Sequence, residues 1–224
     1  MAFFHSPQIV TSGLTLCLDP ANSQSYPGSG TTIYDLLNSG YNGTLYNGVG
    51  FSTTNSGILT FDGTNDTVFT SLFSNARTNV TMNGWFYVNL GTVGTFLSNG
   101  DDPGGYCIGI GEYFGNADNQ IVGLFGYIRW ILTGAYYQYT GWHMVTMTLD
   151  GSGTPSIYVN GTLIGSYPGS MANVPTPGTG FAIGSQWGIR YANTKSGNVT
   201  FYNRALSANE ITQNYQALKS RFGL

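Results

Sequence analysis

The segment Gly141–Gly165 constrains the fold more than any other part of the sequence. It begins with a period-2 alternation of β-favouring residues in Met144–Leu149, which predicts a strand with one buried face. Gly and Pro in Asp150–Pro155 then interrupt the pattern, and a short second strand ends at Asn160-Gly161. Asn-Gly is the strongest short hairpin signal, because a type I′ turn needs positive φ at both central residues. The segment is therefore predicted to be a three-stranded antiparallel meander.

The rest of the chain has the same character of short strands joined by tight turns. Hydrophobic residues make up 41% of the 224 residues, and 33 glycines accompany many Asn, Ser and Thr residues. Such a chain has enough apolar side chains to bury a core without metals or disulfides. Its β-favouring runs recur at roughly 8–12-residue spacing, with no linker or fixed repeat between them. The pattern predicts a single all-β domain, an antiparallel sandwich.

One helix is predicted, at the C-terminal end of the chain. Ser207 and Glu210 have the spacing of a capping box, in which each side chain bonds the backbone N–H of the other residue. Ile211, Tyr215 and Leu218 then recur on one helical face. This apolar face favours a helix that packs against the sandwich.

The charge of the chain excludes some partners. Charged residues make up 8% of the chain, and the net charge is −3. The seven Lys and Arg residues do not cluster as a phosphate-binding surface requires, so nucleic acid is not an expected partner. No apolar run reaches membrane-spanning length, and no secretory signal is recognisable, so synthesis in a cytoplasm is expected. Cys17 and Cys107 are then interpreted as buried thiols in preference to a disulfide.

Three motifs follow one another along the chain: F-D-G-T-N-D-T-V within Leu59–Val68, W-H-M-V with I-Y-V-N-G in Gly141–Gly161, and Y-N-R-A-L-S-A-N-E-I in Phe201–Ile211. Their order and separation resemble the laminin-G-like branch of the concanavalin A-like lectin/glucanase jelly rolls. The resemblance covers roughly residues 13–222. It implies an all-β, antiparallel two-sheet jelly-roll sandwich with one short C-terminal helix. It implies no single function, because this fold carries lectins, glycanases, adhesion modules and virion proteins.

The N-terminal part carries a second, narrower resemblance. Phe4–Pro7, Gly13–Asp19 and Ser25–Thr32 are similar to the opening of laminin-G-like structural proteins of tailed bacteriophages. On this basis the chain is divided into an extended N-terminal arm, residues 1–12, and a jelly-roll domain, residues 13–224. The resemblance implies a protein that is made in the host cytoplasm without a signal peptide and acts on the virion surface.

The leading functional hypothesis is a non-catalytic virion surface protein, either a capsid decoration protein or a fibre or neck component. Phe3 and Phe4 make the arm apolar, so they are the candidates for docking to a capsid, to another virion protein or to sister subunits. A homo-oligomer with closed symmetry is expected. The alternative is a carbohydrate-binding lectin or adhesion module that attaches to cell-surface polysaccharide. The two hypotheses are compatible, because a decoration protein can carry a glycan site.

A glycan hydrolase is the least favoured hypothesis. Glycosidases need two carboxylates about 5 to 9.5 Å apart, and the resemblance implies that glucanases of this family carry them as alternate residues of one strand. This chain has only two Glu residues: Glu112 is alone in a Gly-rich loop, and Glu210 belongs to the capping box. His143, beside Trp142, is interpreted as a structural histidine rather than a base. No catalytic residue is therefore assigned, and the chain is not expected to be an enzyme.

Glycan binding would use aromatic faces with Asn or Asp hydrogen bonds beside them, because sugars have apolar C–H faces and polar rims. Aromatic side chains in or beside Gly- and Asn-rich loops are therefore candidates. They are Tyr113, Trp130, Tyr136, Tyr137, Trp187 and Tyr191. At 15% aromatic content most rings must belong to the core or to a subunit interface, so each candidate is weighed against that role.

Calcium is the one cofactor that the resemblance implies, since family members often hold it at an edge of the sandwich. Asp62, Asn65 and Asp66 could supply the hard oxygen ligands that calcium needs. The family's acidic I-D-E motif before the last strand is missing here, where residues 197–200 are G-N-V-T. The alternative is that Asp62-Gly63 and Asn65-Asp66 only form turns, and that the protein has no cofactor.

Overall fold

The structure is a computed structural model that describes residues 7–72, 76, 78–89, 91–100, 105–111, 120–125, 129–132, 140–167, 169–170, 180–186 and 188–224, with the backbone alone described at 125 and 129–132. In this part of the chain the strands are β1 (Leu14–Leu18), β2 (Thr32–Ile33), β3 (Gly43–Tyr46), β4 (Gly50–Ser52), β5 (Ile58–Asp62), β6 (Thr67–Thr70), β7 (Val80–Val88), β8 (Gly94–Asn99), β9 (Tyr106–Ile110), β10 (Ile121–Phe125), β11 (Arg129–Leu132), β12 (Gly141–Leu149), β13 (Pro155–Val159), β14 (Thr162–Ser166), β15 (Phe181–Ile183) and β16 (Asn193–Tyr202). Helix α1 (Ala208–Leu218) follows, and short 3₁₀ turns lie at Thr54–Ser56 and Lys219–Phe222.

The strands form two antiparallel sheets. The first sheet has the order β14-β13-β12-β7-β16-β5-β4, and β1 also pairs with β16. The second sheet has the order β11-β10-β9-β8-β15-β6-β3-β2. Along one edge, strand β16 pairs with two different strands: with β5 over residues 193–196 and with β1 over residues 199–202. The predicted fold class is confirmed: a two-sheet antiparallel jelly-roll sandwich with one short C-terminal helix among the described residues.

The main core lies between the two sheets and is built from apolar side chains of both. Phe86 of β7 and Phe96 of β8 stack across the sandwich, with ring centroids 4.8 Å apart and an interplanar angle of 10°. Phe181 of β15 and Phe201 of β16 meet edge to face at 5.5 Å. Each contact joins the first sheet to the second. Burying one such ring contributes about 1.5–3 kcal/mol, so these contacts help to hold the sheets together.

The meander predicted from the sequence forms β12, β13 and β14. Asn160 and Gly161 have φ of 51° and 83°, the positive values that a type I′ turn requires. The Asn160 side chain also fastens the turn to β12, because its Oδ1 accepts the Met144 N–H at 2.9 Å and its Nδ2 lies 3.0 Å from Nδ1 of His143. Nε2 of His143 lies 3.0 Å from the Thr140 carbonyl oxygen, and burial lowers the pKa of the ring. His143 is thus a structural histidine of the meander.

Helix α1 covers the outer face of the first sheet. The capping box is present, since the Ser207 side chain accepts the Glu210 N–H and the Glu210 carboxylate accepts the Ser207 N–H. On the sheet, the Trp85 ring of β7 stacks on Tyr215 at 5.7 Å and on Phe222 at 4.3 Å. These rings form the centre of a second apolar cluster on this side of the sandwich. Among the described residues no helix is long and apolar enough to cross a membrane.

The described part of the predicted arm is bonded to the domain. The Val10 N–H donates to Asn214 Oδ1 at 2.8 Å, and the Val10 carbonyl accepts the Tyr202 hydroxyl at 3.0 Å. Arg204 Nε donates to the Ser12 carbonyl at 2.9 Å. Residues 8–12 therefore lie against α1 and β16, as part of the fold. Phe3 and Phe4 lie outside the described residues, so docking through them stays a prediction.

The two cysteines are separate buried thiols, as the sequence predicts. Cys17 lies in β1 of the first sheet and Cys107 in β9 of the second. Burial, with a smaller contribution from nearby Asp19 and Asp35, raises the pKa of the Cys17 thiol to about 12. The thiol therefore carries its proton at neutral pH and is a poor nucleophile.

Replacing Asn160 is expected to destabilise the protein through the meander turn. Asn160→Ala removes the bond to the Met144 N–H. It also places an alanine, whose side chain cannot form local hydrogen bonds, at a positive φ. The free energy of unfolding is therefore expected to fall by about 2–3 kcal/mol. Asn160→Gly accepts positive φ and removes only the side-chain bonds, so it should lose less. Urea unfolding measures both, with exposed Thr162→Ala as the control. Equal midpoints for Asn160→Ala and Thr162→Ala would contradict this account.

Candidate functional site

Aromatic side chains meet on the outer face of the second sheet, where β3 pairs with β6. Leu45 and Val68 are paired in register and point into the core, so their neighbours Tyr46 and Phe69 face outward. The Tyr46 and Phe69 rings are tilted by 55° with centroids 5.4 Å apart, and Tyr46 remains 44% exposed. The pair therefore offers an accessible apolar surface with a phenolic hydroxyl at its rim.

The segment that follows β15 extends this surface. A Cβ on Gly188 would lie 3.8 Å from the Phe69 ring and 3.6 Å from the Tyr191 hydroxyl, so Gly188 fits between the two aromatic side chains. Ile189 beside it is exposed, and Tyr191 is half-buried. We call Tyr46, Phe69, Ile189 and Tyr191 the aromatic patch.

Buried serine and threonine hydroxyls hold this segment in place. The Ser185 hydroxyl lies 2.7 Å from the Thr67 hydroxyl and accepts the Gly188 N–H at 3.1 Å. The Ser185 carbonyl accepts the Ser98 hydroxyl at 3.0 Å. Three strands, β6, β8 and β15, thus position the segment. The aromatic patch is built on a rigid support, which reduces the entropic cost of binding a ligand there.

Arg190 follows Ile189 in the segment after β15. Backbone bonds join Gln186 and Ile189 in both directions, at 2.8 and 3.1 Å. Arg190 follows with φ of 53°, and its guanidinium donates to the Gln186 side-chain oxygen. The Arg190 carbonyl accepts the Thr95 N–H at 2.9 Å, which fixes this unusual backbone conformation. A charged hydrogen-bond donor therefore lies two residues from Gly188 in the patch segment.

The acidic loop before β6 flanks the same end of the sheet. Asp62 accepts the Thr64 N–H at 2.7 Å, a bond that lowers the pKa of its carboxyl and is typical of an Asx turn. Asn47 Nδ2 donates to the Asn65 carbonyl at 2.9 Å and ties this loop to the end of β3. The turn-forming role weighed for Asp62-Gly63 is therefore present in the structure.

Asp66 differs from the other members of this loop. It is 4% exposed; its Oδ2 accepts the Asp62 N–H at 3.0 Å, and its Oδ1 is buried with no hydrogen-bond partner among the described residues. Burial, and to a lesser degree the Asp62 charge, raises the pKa of Asp66. A carboxylate oxygen without a hydrogen-bond partner is a suitable ligand for a hard cation such as calcium. The described residues contain no group of three His, Cys, Asp or Glu around it, so backbone and amide oxygens would have to complete a site.

The residues predicted to bind glycan divide into three groups. Tyr191 belongs to the aromatic patch. Trp130 lies in β11, where its backbone pairs with Leu124, and its side chain is not described. The remaining candidates lie outside the described residues; they are Tyr113, Tyr136, Tyr137 and Trp187.

Tyr46 and Phe69 are members of the patch that the sequence analysis missed. Each lies in a short strand, at a position that alternates with a core residue. The sequence signal that could have identified them is an aromatic residue at an outward-facing position of a predicted strand. Alternation alone does not tell whether another segment covers the ring, so it could not distinguish this site from buried packing.

A family model and three solved structures place the chain among known folds. The model described as the concanavalin A-like lectin/glucanases superfamily matches residues 28–212. No curated protein sequence matches the chain. The sialidase of Trypanosoma rangeli in complex with sialic acid superposes with a TM-score of 0.71 and 18% identity over 95% of this chain, which covers 34% of the sialidase. The chain thus spans about a third of the length of that protein.

A further solved structure is similar over nearly its whole length. Domain 4 of an extracellular arabinanase from Geobacillus stearothermophilus, in complex with arabinotriose, has a TM-score of 0.66 and 17% identity; the match covers 91% of this chain and 98% of that domain. The binding domain of Paraclostridial Mosquitocidal Protein 1 matches with a TM-score of 0.67 and 18% identity, covering 91% of this chain and 52% of that one. Identities this low establish a shared fold alone.

Calcium binding at Asp66 stays a prediction with a direct test. If calcium binds only the folded protein, a concentration ten times its dissociation constant should stabilise the fold by about 1.4 kcal/mol. Thermal unfolding with and without millimolar calcium measures this shift. Asp66→Asn keeps an oxygen for the Asp62 N–H and should abolish the shift, whereas Asp150→Asn removes an equal charge from an exposed turn and should retain it. A shift of the same size in Asp66→Asn would exclude this site.

Proposed function

The chain belongs to the concanavalin A-like lectin/glucanases superfamily, and on this premise we propose that it is a non-catalytic glycan-binding domain of a virion surface protein. The observation that carries glycan binding is the aromatic patch, an accessible group of rings on a rigid part of the second sheet. The virion setting is carried by the resemblance of the N-terminal part of the sequence to tailed-bacteriophage structural proteins.

The aromatic patch has the chemistry that sugar recognition needs. The C–H face of a pyranose or furanose ring is apolar and packs on the face of an exposed aromatic ring such as Tyr46. Hydroxyl groups at the sugar's rim would then reach the phenolic oxygens of Tyr46 and Tyr191. The patch itself consists of uncharged side chains, so binding would rest on stacking and hydrogen bonds more than on charge.

The similar structures support this proposal in a limited way. The arabinanase domain was solved with a bound oligosaccharide, and the mosquitocidal protein's domain is described as its binding domain. Both properties belong to those proteins. They are two examples of domains with this fold that are described as a binding domain or were solved with a sugar, which supports recognition for this chain.

The carboxylates in the described part of the chain argue against a glycan hydrolase. Each side-chain carboxylate there accepts a backbone N–H of its own chain; these residues are Asp19, Asp35, Asp62, Asp66, Asp150 and Glu210. Glu210 is also paired with Arg204 at 2.6 Å, and that pair lowers the pKa of Glu210 to about 2, which leaves it unable to act as an acid near neutral pH. Asp62 and Asp66 are neighbours, but Asp66 is too buried to reach a substrate. We therefore propose a role without catalysis.

Removing the Tyr46 ring is expected to weaken glycan binding about fivefold, since an aromatic contact is worth about 1 kcal/mol beyond its area. A glycan array of bacterial surface polysaccharides, with arabinose- and sialic-acid-containing oligosaccharides, identifies the ligand for wild type. Titration then compares Tyr46→Ala with Tyr34→Ala, a similarly exposed tyrosine outside the patch (44% and 47%). An array without signal would refute the glycan proposal, and equal losses in both variants would remove the patch from it.

The virion setting has its own test. Particles purified from the source of this sequence should contain the chain in stoichiometric amounts by mass spectrometry. Cryo-electron microscopy of those particles should place it on the surface, as a closed homo-oligomer in contact with a capsid or another virion protein. Absence of the chain from purified particles would overturn the setting and leave the glycan-binding proposal standing.

A further inference from the structure

Asparagine is followed by glycine at five places in the chain, all within its described part: Asn42, Asn47, Asn83, Asn99 and Asn160. In such a pair the backbone nitrogen of the glycine can attack the side-chain carbonyl carbon of the asparagine, because a residue without a Cβ shields its own nitrogen least. The reaction needs an asparagine side chain that can turn toward the next residue and a glycine N–H that is not engaged in a hydrogen bond. These two conditions separate the five pairs.

Four of the pairs are held in place by the fold. Asn83 and Gly84 are buried inside β7, and Gly43 is buried in β3, where it is paired with strands on both sides. The Gly100 N–H donates to a backbone carbonyl at 3.0 Å. Both ends of the Asn160 carboxamide are bonded to β12. In each of these pairs either the asparagine side chain or the glycine backbone must first be released from the fold.

The remaining pair, Asn47-Gly48, forms an exposed turn directly after β3, with φ of 62° and 111°. Among the described residues one hydrogen bond holds the Asn47 side chain, from Nδ2 to the Asn65 carbonyl at 2.9 Å, and this bond is exposed to water. The Gly48 N–H donates to no acceptor in the described part of the chain. The attacking nitrogen is therefore free, and the side chain that it would attack is held by a single exposed bond.

We propose that Asn47 is a site of spontaneous deamidation, at which the chain modifies itself with water as the only co-reactant. The Gly48 nitrogen loses its proton and forms a bond to Asn47 Cγ, and the Cγ–Nδ2 bond breaks to release ammonia. Water then opens the resulting five-membered succinimide at either of its carbonyl groups. Opening at Cγ gives aspartate, whereas opening at the backbone carbonyl gives isoaspartate, which adds one methylene group to the main chain. No atom is oxidised or reduced.

The modification would alter the contact that ties the loop before β6 to the end of β3. The new carboxylate replaces the Nδ2 donor, so two acceptor oxygens would face each other where Asn47 and Asn65 are now bonded. The same loop carries the carboxylates of Asp62 and Asp66, which oppose a further negative charge. Tyr46 of the aromatic patch directly precedes Asn47, so isoaspartate would lengthen the chain at the end of the strand that presents this ring. The inference itself does not depend on glycan binding.

Peptide mass spectrometry of the full chain, aged at mildly alkaline pH, tests the site. In the folded protein Asn47 is expected to deamidate about fivefold faster than Asn160, because Asn160 must break one more side-chain hydrogen bond. In guanidinium chloride the fold protects no pair, so all five should react at similar rates. An Asn47 that stays unmodified in the folded protein while the unfolded chain reacts, or equal rates at Asn47 and Asn160, would overturn the proposal.

Variants at the same position measure the effect of the product. Asn47→Gln keeps a carboxamide but needs a slower six-membered ring closure, so it should remove the first modification seen in the folded chain. Asn47→Asp reproduces the charge of the product and should lower the midpoint of thermal unfolding by about 2–4 °C, because one hydrogen bond is lost.

Asn38→Asp is the matched control. It makes the same change at an exposed asparagine with a similar φ of 54°, whose side chain forms no hydrogen bond with the described residues, and it should leave the midpoint unchanged. Equal shifts in Asn47→Asp and Asn38→Asp would refute the claim that the modification acts through the bond to Asn65.

Discussion

The pairing of β7 between β12 and β16 is the constraint on which the rest of the structure depends. Every residue of β7 except Tyr87 is buried, so both faces of this strand must be covered. On the inner face Phe86 stacks on Phe96 of the second sheet. On the outer face Trp85 stacks on Phe222, in the 3₁₀ turn that follows α1. A strand buried on both sides needs a layer on each side. The sandwich and its C-terminal helix both follow from that requirement.

Polar side chains on the outer face of the first sheet fix the register of these three strands. Asn83 of β7 accepts the Thr146 hydroxyl at 2.6 Å and donates to the Thr200 hydroxyl at 3.2 Å. A slip of one residue in either pairing would turn these groups into the apolar core and leave them unpaired. At these central strands the first sheet is therefore packed on its inner face and bonded or covered on its outer face. The second sheet differs at β3 and β6, where Tyr46 stays accessible, and this asymmetry places the proposed glycan site on the second sheet.

The chain uses its few charges to hold the fold together. Arg221 is an example: its guanidinium bonds Asp19 at 2.7 Å, the Asn55 carbonyl at 2.7 Å and the Gly57 carbonyl at 2.6 Å. Arg204 joins Glu210 at the start of α1 to the Ser12 carbonyl. Because the described acids and these two arginines are engaged in such bonds, recognition by this protein would depend on aromatic rings, amides and hydroxyls. That is consistent with a ligand that is itself mainly neutral.

The sequence by itself determined the elements that depend on interactions between residues close together in the chain. The Asn160-Gly161 turn depends on the φ preferences of two adjacent residues, and the Ser207–Glu210 box depends on groups three residues apart. Alternation along single strands similarly determined the all-β class. The tertiary structure alone decided the aromatic patch, because Tyr46, Phe69 and Tyr191 come from distant parts of the chain and meet only when β3, β6 and the segment after β15 lie side by side. Whether an outward ring is covered or exposed depends on such non-local packing, which no local pattern encodes.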